Sequence, residues 1–235
     1  MNADQRRVQK TEVKLLTVVF WDIYGFSNLC HILKTSPETL IEFLNEYYRE
    51  VEKVVSANRG NVDKFMGDGV MALFGLEGHD NDDGTDDAIS AVNAALNLKD
   101  SFQQIKSKWL KIWERKVTEK IDIGLKCGIS TGEVIVAKLG TEKTTAIGSV
   151  ANYASRFEGL AKDSQILLSQ TTNSRVKDKF FSYPDKIKNL QHAKNFGGVT
   201  ECYLVLGRAE PRRKRYQYDC RNRRNSETLG TIAGL

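Results

Sequence analysis

Residues 15–21, LLTVVFW, form a nearly unbroken apolar run of the kind that fills a central strand, and the run ends on a charge, Asp22. Gly25 then lets the chain turn, and residues 26–34 read as a short helix. Ser36, Pro37 and Glu38 supply an N-cap, a proline at the first helical position and an acid in the first turn. Beyond them Leu40, Ile41, Leu44, Tyr47, Tyr48, Val51, Val54 and Val55 recur every three or four positions. That spacing predicts an amphipathic helix to about Asn58, with Gly60 as its stop. From 60 to 75 the pattern changes to GNVDKFMGDGVMALFG: Val62, Phe65 and Met66, a Gly67-Asp68-Gly69 turn, then apolar positions 70–74. This predicts a buried hairpin. A period of two places Lys64 on the face of Val62 and Met66. Asp-Gly is a common turn pair and accounts for Asp68; nothing in an ordinary hairpin accounts for Lys64.

The run HDNDDGTDD, 79–87, is rich in aspartate, but a calcium loop registered on Gly84 would place His79 at its first ligand position and Ser90 at its last. It is read instead as an acidic loop that caps a helix starting near Asp86. Ala88, Ile89, Val92, Ala95, Leu96 and Leu98 carry that helix on past Phe102 and Ile105 to Trp109 and Trp113. From Ile121 the period becomes two, through Ile123, Leu125, Cys127 and Ile129. A turn at Ser130, Thr131, Gly132 and Glu133 then predicts a second hairpin returning through 134–139. Residues 144–148 lead to Ser149 as an N-cap and a helix over 150–162 whose apolar side is Val150, Ala154 and Phe157. Asn152 and Arg156, four apart, share another face and can meet one ligand. A short strand at 165–168, packing aromatics at Phe180 and Phe181, and a last strand at 201–205 complete an α/β (α+β) fold with a mixed or antiparallel sheet.

Composition adds bounds. The 235 residues are 40% hydrophobic with no Pro-rich or Ser-rich divide, so they read as one domain over 14–206, a lead-in at 1–13 and a tail at 207–235. In that tail Arg208, Arg212, Arg213, Lys214, Arg215, Arg221, Arg223 and Arg224 face Glu210, Asp219 and Glu227, an excess of five that equals the whole-chain net charge of +5. The body is therefore neutral, and the tail, which carries no nucleic-acid motif, reads as a solvated terminus. Cys30, Cys127, Cys202 and Cys220 are scattered without CxxC spacing, which suits a reducing compartment. With a polar start and no apolar run near the ~20 residues of a membrane span, the expected location is cytoplasmic.

Asp22 and Asp68 each end a strand, and two close carboxylates would attract a divalent cation. Oxygen ligands without His or Cys favour magnesium or manganese, usually together with substrate phosphates. The turn and helix start at Ile23, Gly25, Phe26 and Ser27 would offer backbone N–H groups to phosphate oxygens. No Walker sequence or GxGxxG occurs, which sets kinase and P-loop readings aside.

FWDIYGFSNL, KFMGDGVMALFG, CGISTGEVIVAKLG and TTAIGSVANYASR, in this order, resemble the catalytic domain of class III nucleotidyl cyclases. The resemblance implies a ferredoxin-like βαββαβ core that forms a head-to-tail homodimer with active sites between subunits. It implies two ions, magnesium or manganese, on Asp22, Asp68 and the Ile23 backbone carbonyl. By the same resemblance Lys64 and Thr145 read the purine, in the combination of adenylyl cyclases and of their bicarbonate-responsive subgroup. Lys suits the N1 acceptor of adenine, and a Thr hydroxyl can accept from its amino group. Asn152 would orient the ribose, Arg156 would stabilise phosphate charge in the transition state, and Lys194 is the candidate triphosphate lysine. The implied reaction converts ATP to 3',5'-cyclic AMP and pyrophosphate. A non-catalytic module that binds ATP or pairs with another cyclase chain is the alternative, and a guanylyl cyclase is the third reading. The few residues before the first strand cannot form a sensory domain, so either a stand-alone enzyme or a catalytic unit with an upstream regulatory domain elsewhere is expected.

Overall fold

The computed structural model describes residues 11–77, 83–138, 144–186 and 201–209. Its first strand, β1 (Glu12–Tyr24), is followed by helices α1 (Phe26–Ile32) and α2 (Pro37–Ala57), the hairpin β2 (Gly60–Met66) and β3 (Gly69–Phe74), and the long helix α3 (Thr85–Trp113). Then come β4 (Gly124–Lys138), β5 (Thr144–Ile147), α4 (Ser149–Leu160), β6 (Ile166–Leu168), α5 (Gln170–Val176), β7 (Phe180–Lys186) and β8 (Glu201–Arg208). The described strands form one sheet in the order β2-β3-β1-β4-β6-β8-β7, with β5 paired on β4. Its first four strands are the ferredoxin-like βαββαβ core, and the parallel β4–β6 pair makes the sheet mixed.

Alternation along β1 distributes the core to both sides. Val19, Trp21 and Ile23 join Phe43, Tyr47, Val51, Phe102, Trp109 and Trp113 in a large core beneath α2 and α3. Leu16 and Val18 turn the other way, to Met71, Leu73, Val134, Val150 and Ala154 under α4. Phe43 packs edge-on against Trp113 at 5.1 Å, and Phe102, Trp109 and Trp113 of α3 are all core. No described helix is long and apolar enough to cross a membrane.

Four expectations need correction. There is no turn at Ser130 to Glu133: β4 runs straight through, pairing with β1 from Tyr24↔Gly124 to Glu12↔Val136. The polar residues are accommodated inside, with Thr131 Oγ1 2.9 Å from both Thr17 Oγ1 and Thr172 Oγ1. The second hairpin is instead β4–β5, with Ile135 opposite Ile147. Gly60 does not stop α2; Asn58 is the C-cap, Arg59 takes the left-handed turn at φ 61°, and Gly60 opens β2 against the Phe74 ring. Gly148, not Ser149, precedes α4 as its cap residue. Phe180 is buried but Phe181 is 59% exposed, since neighbours on a strand face opposite ways. The acidic loop at 79–82, Lys194 and the tail from 210 lie outside the described residues.

Candidate active site

The end of β1 and the β2–β3 turn bring the two aspartates together. Asp68 Oδ2 accepts from the Ile23 backbone N–H at 3.3 Å. Gly67 takes the left-handed turn conformation at φ 66°, and Gly69 stands beside β1, where a Cβ would be in ordinary contact with Asp22 Oδ2 at 3.7 Å. Tyr48 on α2 fastens the turn from below, its hydroxyl donating to the Gly67 carbonyl and its ring lying 4.2 Å from that of Phe65. Burial, then the charge of Asp22, push the Asp68 carboxyl up to about 6, against the opposing pull of backbone N–H groups and Lys126.

Lys126, which sequence reasoning passed over, is the cation of this site. It stands on β4 opposite Asp22, 3.1 Å from Asp22 Oδ1 and 2.7 Å from Glu158 Oε1 on α4. Burial pulls the Lys126 ammonium down, but the Glu158 and Asp22 carboxylates outweigh it and hold the group above its ordinary value. The one available signal was a lysine between Leu125 and Cys127 in the otherwise buried first half of the strand. The residues fit a divalent ion: burial and the neighbouring Asp22 disfavour the Asp68 charge, which a cation would offset, and a lysine already partly neutralises the pair. Among the described residues no group of three His, Cys, Asp or Glu side chains that could hold a metal ion gathers, so the candidate site rests on the two aspartates.

A second cluster forms between β2 and β5. A bulge in β2 between Val62 and Lys64 breaks the period of two, so Val62 and Phe65 both pack on the main core, while Lys64 faces the other side. Lys64 therefore does not share the face of Val62, contrary to expectation. Its Nζ donates to Thr145 Oγ1 at 3.1 Å, joining two residues 81 apart in the chain. The bulged residue, Asp63, buries its carboxylate beneath both. Asp63 Oδ2 is 3.1 Å from Lys64 Nζ and accepts from Thr145 Oγ1 at 2.9 Å. Sequence reasoning missed Asp63 as well, because its burial depends on the bulge.

Helix α4 buries Val150, Ala154 and Phe157 as expected. Asn152 is exposed and Arg156 half-buried, one turn apart. The helix lies tight on β4 at Gly128, where a Cβ would come within 2.1 Å of the Ala154 carbonyl. At the other end of the site Gly25 has φ 80°, and a Cβ there would meet the Asp122 carbonyl at 2.2 Å. Only glycine suits that turn. The Ile23 side chain is buried, Phe26 packs against the core, and Ser27 is exposed.

The fold is that of the class III nucleotidyl cyclase domain. Residues 8–207 match the Adenylate and Guanylate cyclase catalytic domain family, and the chain belongs to it. It is 29% identical over 206 residues to the terminal-differentiation-specific adenylate cyclase of Dictyostelium discoideum, across 85% of this chain and 9% of that protein. The structure matches the adenylyl cyclase CyaB from P. aeruginosa with a TM-score of 0.74 and 30% identity, covering 87% of this chain and 98% of that one. It matches the guanylyl cyclase Cya2 with a TM-score of 0.69 and 25% identity, covering 86% and 96%. The chain spans 9% to 29% of the length of the curated adenylate cyclases it resembles.

Proposed function

We propose that residues 14–206 form the catalytic unit of an adenylyl cyclase that acts in the cytoplasm as a head-to-tail homodimer. The observation that carries the choice of ATP is the Lys64 Nζ to Thr145 Oγ1 contact at 3.1 Å, which sets a donor beside an acceptor. Lys64 donates to adenine N1 and Thr145 accepts from the 6-amino group. Asn152 orients the ribose, and Arg156 meets charge growing on the α-phosphate. Two magnesium or manganese ions, held by Asp22, Asp68 and the Ile23 carbonyl, would supply the positive charge that activates the 3'-hydroxyl and steadies the triphosphate. The backbone from Ile23 to Ser27 lies beside the phosphates, and Lys126, anchored by Glu158, stays as a fixed cation next to them. Lys194 is proposed as a further triphosphate contact. The bond from the 3'-oxygen to the α-phosphorus forms as the bond to the bridging oxygen breaks, the 3'-hydroxyl loses its proton, and pyrophosphate leaves. Positioning supplies most of the rate.

The test is cyclic nucleotide production from ATP and from GTP, with magnesium or manganese, across a protein dilution series. The expected result is cyclic AMP from ATP, with specific activity that falls on dilution and is lost in Asp22→Ala. GTP use without ATP use would remove the assignment of Lys64 and Thr145. Folded protein that binds ATP but makes no product would favour a binding or partner-dependent module.

A further inference from the structure

A threonine hydroxyl carries one proton and two lone pairs, so on its own it can donate or accept. That makes Thr145 alone a poor reader of the purine 6-position, where adenine offers a donor and guanine an acceptor. The structure removes this freedom. Thr145 Oγ1 donates its proton to Asp63 Oδ2 at 2.9 Å and receives a proton from Lys64 Nζ at 3.1 Å. One lone pair is left, and no proton. Lys64 Nζ, 3.1 Å from the same Asp63 oxygen as its ion-pair partner, donates one proton to Thr145 and has three in all, so at least one remains for a ligand. We infer that Asp63, a residue that never touches the nucleotide, sets adenine specificity by fixing Thr145 as an acceptor and Lys64 as a donor.

The Asp63 side chain is 1% exposed, so it meets no solvent and competes with no ligand. Its other oxygen, Oδ1, is buried with no hydrogen-bond partner among the described residues, so the carboxylate directs its interactions through Oδ2 alone. Burying a charged acceptor is costly unless it is paired, and here the pairing goes to the two side chains proposed to read the base. The bulge between Val62 and Lys64 is what turns Asp63 inward. With the base held in one orientation, this arrangement matches adenine at N1 and at the amino group. For guanine it sets donor against N1–H and acceptor against O6, two mismatches that leave polar groups unpaired.

This inference rests on the adenylyl cyclase reading, and its test separates the two. The measurement is kcat/KM for ATP, GTP and purine riboside triphosphate, which keeps N1 but lacks the amino group, accompanied by equilibrium binding of the 3'-deoxy analogues. In Asp63→Ala the preference for ATP over purine riboside triphosphate should fall roughly fivefold to tenfold, the scale of one lost hydrogen bond, while GTP gains relative to ATP. Asp63→Leu, which fills the buried volume without an oxygen, carries the same expectation if Asp63→Ala is unstable. Asp63→Asn keeps an acceptor towards Thr145 and should restore the wild-type ratio. In a Thr145→Val background Asp63→Ala should change the ratio no further, because the residue through which it acts is gone. Equal loss for all three nucleotides in Asp63→Ala, or an undiminished effect in Thr145→Val, would show a merely structural role and overturn the inference. A wild type that turns over ATP while Asp63→Ala keeps its selectivity sinks the inference alone. A wild type that neither cyclises nor binds any purine triphosphate sinks both.

Discussion

Asp68 holds a proton more tightly in the fold than free in water, and that sets the sign of its effect on stability. Its carboxyl moves from 3.8 to about 6, chiefly through burial and the neighbouring Asp22. A group whose folded value is raised favours the folded state where it is protonated, so its contribution is fully present below 3.8 and is lost as pH rises through about 6. At neutral pH the metal-free site is therefore under electrostatic strain that a cation relieves. In chelator, Asp68→Asn should melt higher than wild type at pH 7 and lose that advantage near pH 4, since the amide never ionises. Added magnesium should raise the wild-type Tm at pH 7 and leave the variant nearly unmoved. Equal responses of the two proteins in a thermal melt would mean that Asp68 holds no ion. Glu158 shares the sign, since burial raises its carboxyl against the pull of Lys126, which is why the comparison is made at the single residue.

At the scale of elements, β4 decides the geometry of the site. One face of it places Lys126 against Asp22, and its Gly128 lets α4 come close enough to bring Glu158 to Lys126. Gly128→Ala would drive a methyl into the Ala154 carbonyl and the Glu158 backbone N, at 2.1 and 2.2 Å, so α4 must lift. The expected cost is about 1–3 kcal/mol, as for other overpacked positions. Activity should fall further than stability, because Asn152, Arg156 and Glu158 all ride on that helix. A variant with wild-type activity and a lowered Tm would separate α4 placement from catalysis. The strand itself was only half legible in the sequence. Its alternation from Ile123 to Ile129 is local, but Ser-Thr-Gly-Glu has the composition of a turn, and only the register with β1 keeps it extended. The two aspartates were legible because each ends an apolar run. Asp63 and Lys126 were not: one depends on a bulge that shifts strand parity, and the other, although it stands between the apolar Leu125 and Cys127, takes its meaning only from the cross-strand pairing with Asp22.

The whole molecule distributes its helices unequally over the sheet. The large core lies under α2 and α3, whereas the opposite face is covered by α4 and edged by β5, with Ile135 and Ile147 paired across the strands and 48% and 43% exposed. This apolar pair lies on the β4–β5 hairpin that carries Thr145, and an exposed apolar edge there is suited to a second copy of the chain, in keeping with the proposed head-to-tail dimer. In such a dimer the aspartates of one subunit would work with Lys64, Thr145, Asn152 and Arg156 of the other. Each chain then holds complementary halves of two different sites, and this has a consequence that no single-chain enzyme would share. Asp22→Ala and Arg156→Ala should each be inactive alone. In a mixed dimer one site collects both lesions and the other collects none, so an equimolar mixture should recover about a quarter of wild-type activity, given random exchange between symmetric subunits. Recovery should appear with the time course of subunit exchange and vanish on dilution below the dimer dissociation constant. If each variant is folded, exchange is seen by a labelled-subunit assay, and no activity returns, then the aspartates and Arg156 belong to the same subunit's site and the dimer arrangement proposed for this chain is wrong.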